Sequence, residues 1–226
     1  MRVLRKLMVA ALAVAGMSMP AGAQTPLEAQ VLSILNAARA NPAAYAETLK
    51  EYRGFFHANL VRLPGSRFDV MTTEGVGAVD EAIAFMRRQP ARGPMQSGMM
   101  LASAAADHVG EQAGSGTIGH GGQDGSDPGE RVRRHGGGDY VAEVIEYGAV
   151  DAVDAVRQLI VDDGVADRGH RSILFDPALR FAGVSCGAHP VYRTMCVIDF
   201  GLTADGRELG RMQMADARRG GTPYEE

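Results

Sequence analysis

The spacing of apolar residues predicts four amphipathic helices. Thr25 and Glu28 form a capping box, and the apolar positions after them continue at helical spacing until Asn41-Pro42 interrupts the pattern. The other three helices are expected over about residues 73–88, 99–113 and 151–164. Residues 50–70 have no clear period, so we expect a partly irregular excursion there.

Alternating apolar and polar residues predict strands in the second half of the chain. One strand is expected over residues 140–147, and residues 181–186 and 192–200 are expected to pair as an antiparallel hairpin. The glycine-rich residues 114–138 predict a long loop. Helices that precede and surround a hairpin favour an α+β layered domain over a parallel βαβ sheet.

The ends of the chain differ in composition from its middle. Residues 1–23 have a basic start, a short apolar stretch and the small residues Ala21 and Ala23, which predict a signal peptide cleaved before Gln24. A retained membrane anchor is the alternative, but no later apolar run is long enough to span a bilayer. We expect residues 24–205 to form one domain and residues 206–226 to be a frayed tail.

The net charge and the two cysteines exclude some classes of function and indicate the compartment of the protein. Without residues 1–23 the chain keeps 20 basic and 27 acidic residues, a net charge of −7, which argues against binding nucleic acid or an anionic membrane surface. The two cysteines, Cys186 and Cys196, flank the turn of the predicted hairpin. A disulfide fits an exported chain in the periplasm or the medium, and two buried thiols are the alternative.

Two histidines in glycine-rich contexts, His120 and His170, are the strongest candidates for chemistry. Glu143 in the predicted strand and the pair Asp162 and Asp163 at a helix end lie between them in sequence. Imidazole and carboxylate groups bind transition metals and move protons near neutral pH.

Each of these residues also has a purely structural interpretation. Acidic residues at a helix C-terminus oppose the helix dipole, so Asp162 and Asp163 need a cation nearby. Arg168 or Arg171 would supply it in a solvated salt bridge, whereas His170 or a metal ion would make it part of a site. His120 alone fits an exposed loop residue, and Glu143 among apolar neighbours needs a partner.

Taken together, these segments resemble the CAP family of secreted proteins (cysteine-rich secretory, antigen five, pathogenesis-related-one). The segment Leu35–Arg39 with Asn41-Pro42 resembles the opening helix of that family, and Ala102–His108 resembles its second helix. Val141–Gly148 resembles the segment usually written Gly-Glu-Asn-Ile-Ala. Gly169–Leu174 with Asp176-Pro177 resembles the Gly-His-Arg signature of bacterial members, and Phe181–Val184 and Asp199–Gly201 resemble the closing strands.

The resemblance implies an α-β-α sandwich with a central antiparallel sheet, and a cavity holding two histidines and two acids. Matched one at a time, these positions are His120, Glu143, Asp162 and His170. In some members the two histidines bind zinc or another divalent ion, which implies His120 and His170 as metal ligands here. This chain departs from the family in having Asp162 for the second glutamate, Val144 for the asparagine after Glu143, and Leu159 where many relatives have tryptophan.

Three functions are compatible with this sequence. The first is an exported, non-catalytic binding module for a lipid, glycan or peptide, with an optional divalent ion in its cavity of histidines and acids. The second is a metal-dependent, peptidase-like hydrolase in which His120 and His170 bind zinc and Glu143 or Asp162 acts in catalysis, with Glu143 as the general base. The third is a structural protein of the cell envelope whose polar cavity only stabilises the fold. Fold resemblance alone does not choose between them.

Overall fold

The structure, a computed structural model, describes residues 25–210. The predicted signal peptide and residues 211–226 of the predicted tail lie outside the described residues. Residues 206–210, the start of that tail, lie against the domain: the Arg207 amide donates to the hydroxyl of Thr203, and Leu209 is buried.

Seven helices lie within residues 25–210. They are α1 (Pro26–Ala40), α2 (Pro42–Arg53), α3 (Val76–Arg88), α4 (Met99–Ser115), α5 (Pro128–Arg134), α6 (Ala152–Val161) and α7 (Gly169–Leu174). The four predicted helices are confirmed as α1, α3, α4 and α6, and the capping box of Thr25 and Glu28 is formed. Their ends shift by up to three residues because local caps, such as Gly116 with φ of 70°, decide where each helix stops.

The strands form two sheets. The strands β1 (Phe56–His57), β2 (Leu60–Val61) and β3 (Val70–Met71) make a small antiparallel sheet inside the predicted irregular excursion. The main sheet has the order β4 (Gln96–Ser97), β6 (Phe181–His189), β7 (Arg193–Gly201) and β5 (Val141–Tyr147). Its three long strands are antiparallel, and only the two-residue β4 runs parallel to its neighbour β6.

Helices cover both faces of the main sheet, which confirms the α+β sandwich. The larger core joins α1, α3 and α6 to one face, where Val144, Val184 and Ile198 point. On the other face α4 packs on β6 and β7, and Ile145 and Val197 meet its apolar residues. Gly183 permits this close contact, since a Cβ there would lie 2.0 Å from the backbone nitrogen of Ala102.

Three helices, α2, α5 and the six-residue α7, were missed by the sequence analysis. Asn41 ends α1 and also caps α2, because its side chain accepts from the Ala44 amide while Pro42 takes the first helical position. The predicted loop over residues 114–138 is wrong in its second half, where α5 begins with a capping box between Asp127 and Glu130. The many glycines around this capping box favoured a loop in the sequence analysis, although the same kind of capping box begins α1.

The predicted disulfide is confirmed. Cys186 of β6 and Cys196 of β7 are directly opposite each other in the hairpin register, and their sulfur atoms are bonded. Among residues 25–210, no helix combines the length and the apolar character that a bilayer crossing requires.

Candidate functional site

His120 and Glu143 form the first histidine–acid pair. The ring atom Nδ1 of His120 lies 2.8 Å from Oε1 of Glu143, whose carboxylate is 1% exposed, whereas the His120 side chain is 52% exposed. The alternation of side chains along β5 turns Glu143 toward α4 and α5, together with Val141 and Ile145. The pair therefore consists of a half-exposed imidazole that is oriented by a hydrogen bond to a buried carboxylate.

Arg131 of α5 neutralises Glu143 and ties it to the His120 loop. One guanidinium nitrogen donates to Oε2 of Glu143 over 2.7 Å, and the other donates to the backbone carbonyls of His120 and Ser126. Both side chains of this ion pair are 1% exposed. A buried carboxylate with one cation and one imidazole is well compensated, so this network explains the partner that Glu143 needs.

A second layer of side chains holds the backbone next to His120. The carbonyl of Gly119 accepts from the side chain of Gln112 over 2.7 Å and lies 2.8 Å from Nε2 of His108. The Gly119 amide donates to the Tyr147 hydroxyl, which donates in turn to Gln112. The His120 loop is therefore anchored on α4 and β5 on both sides of the peptide that precedes the histidine.

Asp199 of β7 is a further acid beside this pair. It lies opposite Glu143 in the strand register and is fully buried, and no group among the described residues donates a hydrogen bond to either carboxylate oxygen. Burial raises the pKa of Asp199 well above its usual range, and the Glu143 carboxylate raises it further while Arg131 opposes the shift. Asp199 therefore favours its neutral, protonated form next to Glu143.

Asp162 and His170 form the second pair. Asp162 ends α6 in the left-handed conformation with φ of 58°, which directs its carboxylate toward α7. There Oδ1 lies 2.7 Å from Nδ1 of His170, and Oδ2 accepts from the backbone amide of Arg171. Asp163 points elsewhere, accepting from the amides of Thr73 and Glu74 before α3. Of the two adjacent acids, Asp162 is the one that contacts the histidine.

The cation expected at the end of α6 is also present. The buried guanidinium of Arg171 donates to the carbonyls of Ile160 and Val161, and Arg168 donates to the carbonyl of Asp162. These carbonyls belong to the last turn of the helix, where a positive charge is favourable. Both interpretations of this segment are therefore correct, because Arg168 and Arg171 cap the helix while His170 pairs with Asp162.

A cavity of about 760 Å³ opens beside the second pair. Asp162 and His170 line it together with apolar residues of α2, the small sheet and α6. His120 and Glu143 do not contribute to this wall. The structure thus brings each histidine to its own acid, and it places only the second pair in the large cavity.

Glu146 belongs to the same cavity wall. It is three residues after Glu143 on β5 and therefore points to the opposite face of the sheet. Its Oε1 accepts from the Ala149 amide over 2.7 Å, while its buried Oε2 has no hydrogen-bond partner among residues 25–210. Burial raises the pKa of Glu146 to about 8, the Ala149 amide opposes this shift, and the nearby Asp154 carboxylate adds to it.

The donor groups do not fit the catalytic zinc that a hydrolase of this type requires. Such a site has three protein ligands and an open position for water. Within residues 25–210, no group of three or more histidine, cysteine, aspartate or glutamate side chains is arranged to hold a metal ion. Both imidazoles are oriented by a carboxylate at Nδ1, as metal-binding histidines often are, but the third ligand is missing from the described chain.

Three residues of the site were not found by sequence reasoning. Arg131 lies in the segment that was predicted to be a loop, although the capping box of α5 was a signal that a helix begins there. Asp199 stands in an otherwise apolar strand segment, and a lone acid in such a run was a usable signal of a buried carboxyl group. Glu146 was missed because no sequence pattern showed that the face of the strand opposite Glu143 borders a cavity.

The chain matches one family model, and it is similar to a solved structure. The sequence profile described as "Cysteine-rich secretory protein family" matches residues 86–200, just over half of the 226-residue chain. Among solved structures, an outer surface protein of Borrelia burgdorferi is similar at 14% identity with a TM-score of 0.40, covering 48% of this chain and 77% of that protein. No curated protein sequence matches the chain.

Proposed function

The chain belongs to the cysteine-rich secretory protein (CAP) family, and on that premise we propose that it is an exported binding module for an apolar ligand. The ligand occupies the cavity beside Asp162 and His170. This cavity is the observation that carries the proposal, because its volume of about 760 Å³ lies in the range of small-molecule sites, which are mostly apolar with a few polar groups.

The rim of the cavity supports an apolar ligand. Val70 and Met71 of β3 and Val150 after β5 contribute to the wall although they are strongly exposed to solvent. Exposed apolar side chains that cluster around a concave site mark a ligand or partner surface. Of the three ligand classes expected from the sequence, this rim favours a lipid over a glycan or a peptide.

Export is supported by the disulfide and by the sequence of the first 23 residues. The bond between Cys186 and Cys196 is of the kind that persists in the periplasm or outside the cell. The residues of the predicted signal peptide have the basic start, the apolar stretch and the small residues at the cleavage point that secretion requires.

The hydrolase alternative has no comparable support, since the described residues supply no set of three metal ligands. Its test is a metal analysis of purified protein after zinc loading. We expect less than one zinc ion per chain, with no difference between wild type and His170→Ala. A stoichiometric zinc ion that is lost in both His120→Ala and His170→Ala would restore the hydrolase as the better proposal.

The binding function is tested with N-phenylnaphthylamine, a neutral probe whose fluorescence rises in apolar surroundings. We expect saturable binding to the wild-type protein and weaker binding to Met71→Gln, which makes the rim polar without changing its size. Burying a methionine side chain contributes roughly 1.5–3 kcal/mol, so covering part of one corresponds to an affinity loss of about five-fold.

Met99→Gln is the matched control. Met99 is 68% exposed at the start of α4 and does not line the cavity, whereas Met71 is 77% exposed at the rim. The control is expected to bind the probe like the wild type. Equal loss in both variants, or no saturable binding to the wild-type protein, would contradict the proposed function.

A further inference from the structure

We infer that the cavity takes an amphiphile with a cationic head, a long-chain amine, whose ammonium group pairs with Oε2 of Glu146. This inference rests on the proposed binding function and specifies the ligand class for the same cavity. It stands on three observations: an unpaired buried carboxylate oxygen in the wall, an excess of acidic groups around the cavity, and apolar walls for the chain of the ligand.

The first observation is the state of Glu146. Its side chain is 3% exposed, and Oε2 has no hydrogen-bond partner among the described residues although buried polar atoms are almost always paired. Leaving such an oxygen unpaired costs the fold stability, so a donor supplied by a ligand is favoured here. A carboxylate accepts hydrogen bonds only, and an ammonium group provides both the donors and the compensating charge.

The second observation is the sign of the charge around the cavity. Besides Glu146, the wall contains four acidic residues, Asp151, Asp154, Asp162 and Asp163, but only one arginine, Arg157. His170 is the only histidine in the wall, and the small sheet contributes no charged side chain to it. The excess of negative charge in a partly enclosed site attracts a cation and repels an anion such as a fatty-acid carboxylate.

The other acids are already engaged, which singles out Glu146 as the anchor. Asp151 caps α6, Asp154 pairs with Arg157 over 2.5 Å, and Asp162 pairs with His170. Asp163 accepts two backbone amides before α3. They contribute to the field in the cavity, while Glu146 alone among them keeps a buried oxygen without a partner.

The third observation concerns the apolar part of the ligand. Tyr52 and Phe56, which stack edge to face, line the cavity together with Leu63 of the excursion and with Leu159 of α6. These side chains offer an apolar surface to an alkyl chain. Glu146 also stands at the position of the alanine in the Gly-Glu-Asn-Ile-Ala segment that this strand resembles, so the anchor is a feature of this chain.

The test compares three ligands with the same alkyl chain and different heads: dodecylammonium, dodecanol and dodecanoate. Each competes against N-phenylnaphthylamine, below its micelle concentration. The measurements are made at about pH 9, above the pKa of about 8 of Glu146 and below that of an alkylammonium group, which resembles lysine at about 10.4. We expect dodecylammonium to bind at least about ten-fold more tightly than dodecanol, because a hydrogen bond to a charged group contributes a free energy of that size. We expect dodecanoate to bind most weakly of the three.

Glu146→Gln removes the charge and keeps the shape, and it should bind dodecylammonium and dodecanol with equal affinity. Glu51→Gln, an exposed glutamate of α2 outside the cavity, is the control and should keep the preference. Equal binding of all three heads to the wild type, tighter binding of dodecanoate, or an unchanged preference in Glu146→Gln would overturn the inference and leave the binding function intact. If neither the probe nor any of the three ligands binds, the proposed function itself fails.

Discussion

The buried carboxyl group of Glu146 should make the stability of this protein depend on pH, and Glu146→Gln isolates that dependence. The amide keeps the acceptor for the Ala149 amide, since its oxygen can replace Oε1. It also places an NH₂ group where Oε2 has no partner, which adds a cost that does not vary with pH. The change with pH, rather than the stability at one pH, is therefore the quantity to measure.

The direction and the size of this change in stability with pH follow from the pKa of Glu146 in the folded protein. Burial raises the pKa of Glu146 from 4.5 to about 8, so the folded protein keeps this proton to higher pH than the unfolded chain does. The contribution to stability is fully present below about pH 4.5 and is lost as the pH rises to about 8. One proton corresponds to about 1.4 kcal/mol per pH unit, or about 4 kcal/mol between pH 5 and pH 8. That is a large part of the 5–15 kcal/mol, roughly, by which domains are stable.

The assay is urea unfolding under non-reducing conditions at about pH 5, 6, 7 and 8, with the wild type, Glu146→Gln and the exposed control Glu51→Gln. We expect the wild type to lose stability relative to Glu146→Gln at each step upward in pH, and the control to follow the wild type. If the difference between the wild type and Glu146→Gln stays constant over this range, the carboxyl group is not held in its neutral form and the reasoning is refuted.

Three further predictions concern the Glu143 network and the disulfide. Arg131→Met should cost about 3–5 kcal/mol in the free energy of unfolding, because Glu143 would keep a buried charge without its cation, and Arg131→Met/Glu143→Gln should recover part of the loss in a double-mutant cycle. Asp199→Asn should gain stability relative to the wild type as the pH rises above the ordinary pKa range of an aspartate, because the raised pKa of Asp199 makes its ionisation in the folded state unfavourable; a variant that loses stability relative to the wild type over the same rise in pH would show an ionised, well-paired Asp199. Replacing both cysteines by alanine should lower the free energy of unfolding by about 2–4 kcal/mol, the loss expected for the small loop that the bond closes over 10 residues, and full alkylation of the unreduced, denatured protein would show that the bond is absent.

Local sequence signals predicted most of the fold. The capping box of α1, the apolar periods of α3, α4 and α6, and the alternation in the hairpin each depend on contacts within a few residues, and each is confirmed. The disulfide followed from the position of the two cysteines on either side of a turn. Where two signals overlap, local reasoning was wrong: Asn41-Pro42 was taken as the end of one helix, although the same two residues also begin α2.

The histidine–acid pairs show how far a sequence leads toward a site. The order of the family segments indicated His120, Glu143, Asp162 and His170 as the four site positions, and the structure shows that each histidine contacts one of the two acids. The partners that neutralise these acids come from elsewhere, since Arg131 reaches Glu143 from a separate helix. Such contacts depend on how helices dock on the sheet, and no local period in the sequence encodes them.

The two glutamates of β5 carry the strongest argument for a binding role. An odd separation of three residues places Glu143 and Glu146 on opposite faces of one strand, in equally buried surroundings. On one face the fold supplies an arginine and an imidazole, so Glu143 is fully compensated without a ligand. On the other face the fold supplies a single amide and a cavity. A protein that needed only to stabilise its sandwich would gain from an apolar residue at position 146, as in the segment this strand resembles. The carboxyl group there is therefore better explained by a molecule that enters the cavity than by the fold alone.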